Sequence, residues 1–260
     1  MNPVHFVGAG PGAPDLITLR GRHLLDEAEV IVFAGSLVNP ALLHGCRAEV
    51  FDSAGLDLEQ IIGLIADRQR QGQKVVRLHT GDPSLYGAIH EQITRLEAMG
   101  IPCQVTPGVT AATAAAASLK TELTLPETSQ TVILTRQAGR TPVPQQERIA
   151  SLAQHQATML IYLSAGLIDT VVEELRRGGY PDTTPVAVVE KASWPEEKTV
   201  RAPLGDIARL VRQAGIRKTA IIAVGEVLRE GPNTNKASRL YDPGFTHAYR
   251  TGRQQNKEGL

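Results

Sequence analysis

Three short segments rich in glycine, proline and hydroxyl-bearing residues are the candidate ligand-binding loops of this chain. They are GAGPG at 8–12, TGDPSLYG at 80–87 and TPGVTA at 106–111. Glycine lets a ligand approach the main chain closely, and proline stiffens the turn that carries it. Main-chain N–H and C=O groups bind charged and uncharged groups alike. The loops therefore predict a site built mainly from backbone rather than from a catalytic side-chain cluster.

The first segment follows a predicted strand and has the opening of a dinucleotide-binding turn. Two observations disfavour a nicotinamide cofactor. Pro11 and Pro14 interrupt the required spacing, and the second predicted strand ends at Ala34 without the acidic residue that would hold a ribose hydroxyl. A turn that only reverses the chain stays an alternative to a backbone-lined ligand cleft.

The other two segments each lie between a predicted strand and a predicted helix, where open α/β sheets bind ligands. Gly81 would give a ligand access to the backbone, although Asp82 could also be a simple helix cap and Tyr86 a core aromatic. Thr110 is placed to cap an alanine-rich helix whose first N–H groups could hold a carboxylate.

Short apolar runs alternate with segments of helical period, which predicts an α/β fold with mostly parallel sheets in two lobes. The predicted strands cover residues 4–8, 30–34, 75–78, 131–135, 159–163, 185–189 and 220–224. The predicted helices cover residues 18–28, 58–70, 89–99, 167–177 and 207–214. Residues 1–119 form the predicted N-terminal lobe, residues 120–230 the C-terminal lobe, and residues 231–260 a surface tail.

Composition excludes several classes of protein. Lys plus Arg and Asp plus Glu number 27 each, so there is no basic excess for nucleic acid or an anionic membrane. No apolar run approaches the roughly 20 residues of a membrane span, and no targeting segment is evident, so we expect a cytoplasmic protein. Cys46, Cys103 and the seven histidines form no recognised metal-ligand spacing, so we expect no protein-bound metal.

Together and in this order, the three segments resemble those of the tetrapyrrole (corrin/porphyrin) methylases. Within that family, AGSLV at 34–38, LPETSQTVILTR at 125–136 and GRTPVP at 139–144 resemble the branch that methylates C11 of the macrocycle. The resemblance continues through KASWPE at 191–196, residues 219–225 and SRLY at 238–241, and it covers residues 4 to about 250.

The resemblance implies a two-lobed homodimer in which S-adenosyl-L-methionine, converted to S-adenosyl-L-homocysteine, lies in a cleft between the lobes. The C-terminal lobe would complete that cleft, and the N-terminal lobe would form the side of the tetrapyrrole trough. Matching the family motifs gives a set of cofactor-binding residues: Pro11, Thr80, Gly81, Asp82, Leu85, Tyr86, Thr110, Ala111, Tyr162, Leu163, Ala192, Thr219 and Ala220. Leu163 departs from the methionine of some relatives but still supplies apolar contact.

The substrate implied is precorrin-4 or its cobalt complex, with the cobalt form favoured by the segments at 81–87 and 191–195. Residues expected at the tetrapyrrole are Gly10, Gly12, Ser36, Arg136 and Arg140, the two arginines as partners of its carboxylates or else as plain surface charge. No general base is assigned, because positioning an activated methyl group needs none. The alternatives are uroporphyrinogen-III or another methyl position, diphthamide-precursor or ribosomal-RNA methylation, and, from other classes, a nucleotide-binding dehydrogenase or a ligand carrier.

Overall fold

The computed structural model describes residues 2–35, 37–230 and 239–253. Within this part of the chain, β-strands and α-helices alternate along most of the sequence. The strands are β1 Val4–Gly8, β2 Val30–Phe33, β3 Glu49–Asp52, β4 Val75–His79, β5 Cys103–Thr106, β6 Val132–Arg136, β7 Thr158–Tyr162, β8 Pro185–Glu190, β9 Lys198–Pro203 and β10 Ala220–Val224. The helices are α1 Leu19–Glu27, α2 Leu58–Arg70, α3 Ile89–Ala98, α4 Ala111–Ser118, α5 Ile149–Ala153, α6 Ile168–Arg177 and α7 Leu204–Gln213.

The chain groups into two compact units. The first consists of Met1–Leu119 together with Val189–Lys198, and the second of Lys120–Val188 together with Thr199–Leu260. The segment Val189–Lys198, here named the tryptophan segment after Trp194, therefore packs with the N-terminal unit although it lies far along the chain. The functions predicted for the two lobes stay predictions.

The first unit is built on a sheet of strand order β3-β2-β4-β1-β5. The four described pairs, β1 with β4 and β5, and β2 with β3 and β4, are parallel. Successive side chains of a strand point to opposite faces. Val75 thus packs in the core cluster beneath α2 and α3, while Val76 packs in the cluster beneath α1. Both faces are covered, as expected of a parallel sheet.

Local sequence explains the helix that covers much of one face. Asp57 accepts a hydrogen bond from the Gln60 N–H at 2.9 Å, and the Gln60 side chain accepts one from the Asp57 N–H at 3.0 Å. This capping box begins α2. Ile61 and Ile65, four residues apart, then bury the same stripe of the helix against the sheet.

The second unit has a sheet of order β6-β7-β10-β8-β9. Strand β7 runs parallel to β6 and antiparallel to β10. Its core joins apolar residues of α5, α6 and α7 to one face of the sheet.

The predicted class, two α/β lobes with mostly parallel sheets, is confirmed. Each predicted helix and strand matches an observed one to within a few residues. Strands β3, β5 and β9, which were not predicted, lie at sheet edges. Of the predicted tail, residues 231–238 and 254–260 lie outside the described part.

Candidate active site

The three glycine-bearing loops meet at one edge of the first sheet. They follow β1, β4 and β5, which are neighbours in the order β4-β1-β5 and run parallel, so their carboxyl ends lie side by side. We name residues 8–13 the glycine loop, residues 80–87 the Asp82 loop and residues 106–111 the Pro107 loop. The carboxyl edge of a parallel sheet is where α/β proteins bind small molecules.

Main-chain hydrogen bonds join the glycine loop to the Asp82 loop. The Gly10 N–H donates to the Gly81 carbonyl at 3.2 Å, and the Gly81 N–H donates to the Gly10 carbonyl at 2.8 Å. The Ala9 N–H donates to the His79 carbonyl at 2.7 Å. Beyond the parallel pair of β1 and β4, Gly10 and Gly81 thus form a separate antiparallel bridge, which fixes the relative position of the two loops.

Glycine is required where the loops touch. A Cβ atom on Gly8 would lie 2.6 Å from the Gly108 Cα, and one on Gly108 would lie 2.1 Å from the Gly81 carbonyl oxygen. Both distances are shorter than real Cβ contacts. The three loops therefore pack backbone against backbone, and no other residue type fits at these two positions without moving them.

Asp82 connects the second loop to the third. Its Oδ1 accepts a hydrogen bond from the Ser84 N–H at 2.8 Å, and its Oδ2 accepts one from the Gly108 N–H at 3.0 Å. Helix α3 begins only at Ile89. Asp82 therefore caps its own turn and crosslinks two loops, and it does not act as the helix cap considered as an alternative.

Strained backbone marks the far side of the Asp82 loop. Tyr86 has φ +58° and Ala88 has φ +50°, values that non-glycine residues seldom adopt. The Tyr86 side chain is 45% exposed, so it is not the core aromatic that the plainer interpretation suggested. Left-handed residues outside glycine cluster at ligand sites, where the surrounding structure holds them in place.

Two buried basic side chains lie on β4 beneath the Asp82 loop. Burial, reinforced by the charge of Arg77, lowers the pKa of His79 to about 3. The imidazole is therefore neutral at neutral pH, and its Nε2 has no hydrogen-bond partner among the described residues. Burial also lowers the pKa of Arg77 to about 10, and its guanidinium donates to the Gln92 side chain, the Val32 carbonyl and the Ser53 hydroxyl.

The predicted cofactor residues of the first unit lie on or beside these loops. Thr80, Gly81, Asp82, Leu85 and Tyr86 belong to the Asp82 loop, and Pro11 is buried in the glycine loop. Thr110 is the N-cap residue of α4, and Ala111 is its first residue. Ala192 is buried in the tryptophan segment, whose neighbouring residues contact the glycine loop.

The predicted cofactor residues of the second unit lie together where β7 ends and its neighbour β10 begins. Tyr162 is the last residue of β7 and Leu163 follows it, while Thr219 directly precedes Ala220, the first residue of β10. The antiparallel register pairs Ile161 with Ile222, so it continues to place Leu163 opposite Ala220. Leu163 has φ +55° and is 70% exposed, and Thr219 has φ +52°, a rare conformation for a β-branched residue.

The residues predicted to bind the tetrapyrrole are more scattered. Gly10 and Gly12 lie in the glycine loop, whereas Ser36 lies outside the described residues. The Arg136 guanidinium donates to the carbonyls of Gln137 at 3.4 Å, Thr141 at 3.1 Å and Pro142 at 2.7 Å. Arg136 thus shapes the loop that carries the exposed Arg140. Their roles toward substrate carboxylates stay predictions.

Sequence reasoning missed two polar residues that fix neighbouring loops. Asp52 accepts hydrogen bonds from the Ala54 and Gly35 N–H groups, both at 2.8 Å, and these lower the pKa of its carboxyl group. The buried Ser164 hydroxyl donates to the Tyr162 carbonyl at 2.6 Å and accepts from the Gln137 N–H at 2.8 Å. Ser164 directly follows the predicted strand 159–163, a position that could have identified it, whereas Asp52 ends β3, which was not predicted.

Neither a metal centre nor a membrane span is found within residues 2–35, 37–230 and 239–253. No group of three or more His, Cys, Asp or Glu side chains there could hold a metal ion. No helix in that part of the chain is long and apolar enough to cross a membrane. Cys46 and Cys103 are free thiols, and burial raises the pKa of Cys103 to about 11.

A parallel sheet whose neighbouring strands end in three interlocked, glycine-bearing loops defines an α/β protein that binds small molecules. The profile of the Tetrapyrrole (Corrin/Porphyrin) Methylases matches residues 3–208. The chain belongs to this family, and it is a methyltransferase.

Individual relatives agree with this assignment. A Cobalt-precorrin-4 C(11)-methyltransferase from Methanocaldococcus jannaschii is 55% identical over 95% of both chains. The solved structure of a cobalt precorrin-4 methyltransferase has a TM-score of 0.86 and 46% identity, covering 88% of this chain and 96% of its own. A uroporphyrin-III C-methyl transferase from Thermus thermophilus, solved with S-adenyl homocysteine, has a TM-score of 0.76 and 30% identity, covering 88% and 99%. Further curated relatives of similar identity carry the name Precorrin-4 C(11)-methyltransferase, without cobalt.

Proposed function

We propose that this chain methylates C11 of cobalt-precorrin-4, giving cobalt-precorrin-5A in anaerobic cobalamin biosynthesis, with S-adenosyl-L-methionine as the methyl donor. The observation that carries the proposal is the 55% identity, over nearly the whole length of both chains, to a relative named for that reaction. The interlocked loops of the first unit support it, because they form a rigid main-chain surface suited to a small donor.

The residues at the loop edge fit an adenosyl donor. Gly81 has φ +59°, and a Cβ built on it would make only ordinary van der Waals contacts, with the Ala111 nitrogen at 3.8 Å, so the position is not crowded. The Ala111 N–H at the start of α4 lies beside Gly81 and would suit a carboxylate. The nearby aromatic and apolar groups of Leu85 and Tyr86 would suit an uncharged adenosine.

When bound, the donor's sulfonium supplies an activated methyl group. The chain's own residues would then hold and orient the reactants and exclude water, effects worth about 7–11 kcal/mol in favourable cases. Thr80 to Tyr86 and Thr110 with Ala111 would hold the donor from the first unit. The family resemblance also assigns Tyr162, Leu163, Thr219 and Ala220 to the donor.

We assign no general base. The accepting carbon of the tetrapyrrole is electron-rich and enamine-like, so the reaction asks for alignment more than for proton abstraction. The neutral His79 lies beneath the loop as a buried support and is not placed in the chemistry. Arg136, by its carbonyl contacts, would hold Arg140 where a substrate carboxylate could meet it.

Metal-free precorrin-4 is the second candidate substrate, because relatives of similar identity carry both names. Corrin shape and carboxylates are common to the two compounds. A site that recognises only those features would accept either, and discrimination would arise only where a side chain meets the axial face of cobalt.

We also propose a cytoplasmic homodimer. The described part of the C-terminal tail exposes Leu240, Tyr241 and Tyr249. These side chains support an association, because burying exposed apolar surface at an interface is favourable.

The donor assignment predicts selective binding. In calorimetry, S-adenosylhomocysteine should bind the purified chain with a dissociation constant of about 1 µM or lower, equivalent to about 8 kcal/mol. It should also raise the midpoint of thermal unfolding, because it binds the native state. NAD under the same conditions is the control and should do neither. Stabilisation by NAD alone would instead support a dehydrogenase and refute the donor site.

A further inference from the structure

The tryptophan segment holds the glycine loop in place through its only indole. The Trp194 Nε1–H donates to the Pro11 carbonyl at 2.9 Å. A Cβ built on Gly12 would lie 1.9 Å from the Trp194 Cδ1 and 2.0 Å from its Nε1, so the ring packs directly on the Gly12 backbone. The contact spans 183 positions of sequence, and both partners belong to the first unit.

Two further side chains bind the same stretch of backbone. The Ser193 hydroxyl accepts a hydrogen bond from the Ala13 N–H at 3.0 Å, and the Asn39 amide donates to the Gly12 carbonyl at 2.9 Å. Polar main-chain groups of three consecutive residues, Pro11 to Ala13, are thus held by side chains from elsewhere. A loop held at so many points is pre-organised.

The tryptophan segment is itself braced. The Glu197 carboxylate accepts hydrogen bonds from the Ser193 N–H at 2.6 Å and from the Ser118 hydroxyl at 2.8 Å. Lys191 and Ser193 have φ +50° and +69°, and the Lys191 ammonium lies 5.5 Å from the centre of the Trp194 ring. Residues with a strained backbone persist only where the surrounding structure holds them, so this turn is held in a single conformation.

We propose that Trp194 is a positioning residue for the methyl acceptor: it fixes residues 11–13 of the glycine loop, against which the tetrapyrrole is aligned for transfer. This inference rests on the proposed function and on the expectation that Gly10 and Gly12 face the tetrapyrrole. The main-chain groups of the Asp82 and Pro107 loops are fixed by the Gly10–Gly81 and Asp82–Gly108 hydrogen bonds, which do not involve Trp194. Of the predicted donor residues, Trp194 hydrogen-bonds only Pro11, so its loss should lower acceptor use more than it lowers donor affinity.

Steady-state kinetics with Trp194→Phe, which keeps a ring but loses the N–H, test the proposal. We expect kcat/KM for the tetrapyrrole to fall by about 10-fold, the effect of one lost hydrogen bond that leaves a carbonyl unpaired. The affinity for S-adenosylhomocysteine should fall by less than about 3-fold, because Pro11 is the one predicted donor residue that Trp194 hydrogen-bonds, while the Asp82 and Pro107 loops keep their own bonds. Tyr180→Phe is the matched control, since Tyr180 likewise donates to a backbone carbonyl, that of Ala157, but in the second unit.

A double substitution distinguishes positioning from general structural loss. Gly12→Ala should impair turnover because its Cβ displaces the indole, whereas adding it to Trp194→Ala should cause little further loss, because the space is then free. Additive losses in the double variant would overturn the proposal. So would acceptor kinetics of Trp194→Phe equal to those of Tyr180→Phe.

A readout that needs no turnover separates this inference from the proposed reaction. Trp194 is the only tryptophan of the chain, so fluorescence excited selectively at tryptophan reports the surroundings of this one indole. Gly12→Ala should shift the emission to longer wavelength as the indole becomes more exposed, while Tyr180→Phe should not. An unshifted Gly12→Ala spectrum refutes the contact even if the enzyme is active. If Gly12→Ala shifts the emission but the wild-type chain transfers no methyl group, the proposed function is refuted. The role of Trp194 toward the acceptor is then refuted with it.

Discussion

Gly108→Ala is expected to lower the affinity for S-adenosylhomocysteine by about 100-fold or more, the equivalent of about 2.7 kcal/mol. The new Cβ would lie 2.1 Å from the Gly81 carbonyl oxygen and 2.9 Å from the Gly8 Cα, so the three loops must separate. Overpacking of this kind costs about 1–3 kcal/mol and at times more. Isothermal calorimetry on the folded variant measures the effect.

Two further variants guard against simple unfolding. Gly63→Ala on α2, where a Cβ would have no neighbour within 4 Å, should bind as the wild type does. Gly81→Ala should place its Cβ in ordinary contact with the Ala111 nitrogen, without a clash, and still weaken binding, because a left-handed backbone costs a residue with a Cβ about 1–2 kcal/mol. If Gly81→Ala and Gly108→Ala both bind S-adenosylhomocysteine normally, the donor does not lie at these loops.

Asp82→Ala is expected to weaken S-adenosylhomocysteine binding by about 30-fold while leaving the secondary structure intact, which is about 2 kcal/mol. The substitution removes the carboxylate that joins the Ser84 and Gly108 N–H groups. Hydrogen bonds to charged groups contribute about 1.5–3 kcal/mol each, and their loss frees the Asp82 and Pro107 loops to move. Calorimetry gives the affinity, and circular dichroism checks the fold.

The matched control removes a carboxylate from the surface of the same unit. Asp67 pairs only with Arg70, three residues away on the exposed face of α2, and such pairs contribute little. Asp67→Ala should therefore bind S-adenosylhomocysteine with the affinity of the wild type. The affinity of Asp82→Asn for S-adenosylhomocysteine should lie between those of the wild type and Asp82→Ala. An amide has one oxygen that accepts hydrogen bonds, whereas the carboxylate has two. Equal affinity in all three Asp82 forms would show that the crosslink does not shape the site.

The central strands of both sheets were predictable from sequence because burial on both faces leaves continuous apolar runs, as in Val30–Phe33 and Ala220–Val224. Two of the strands that were not predicted lack that signal. Glu49–Asp52 and Lys198–Pro203 lie at sheet edges, are mostly exposed and carry charged residues, so their composition resembles that of loops. Their pairing depends on a neighbour that is distant in sequence.

The site was predictable at the level of loops and not of contacts. Glycine and proline spacing identified the segments, since it follows from local backbone needs. The Asp82 to Gly108 hydrogen bond joins residues 26 positions apart, and the Trp194 to Pro11 bond joins residues 183 apart. No local pattern encodes such a pairing. Arg136 illustrates the same limit, because its bonds to the Thr141 and Pro142 carbonyls have no signal in the sequence, while its role toward a substrate carboxylate stays a prediction.

Methyl transfer to C11 tests the central claim most directly. Cobalt-precorrin-4 and metal-free precorrin-4 are supplied separately with S-adenosylmethionine carrying a labelled methyl group, and the products are analysed by mass spectrometry and NMR. We expect one labelled methyl group per macrocycle, at C11, with efficient turnover of the cobalt form. Efficient turnover of the metal-free compound with none of the cobalt form would overturn the cobalt assignment. A methyl group at another carbon, or no transfer to either compound, would contradict the proposed reaction itself.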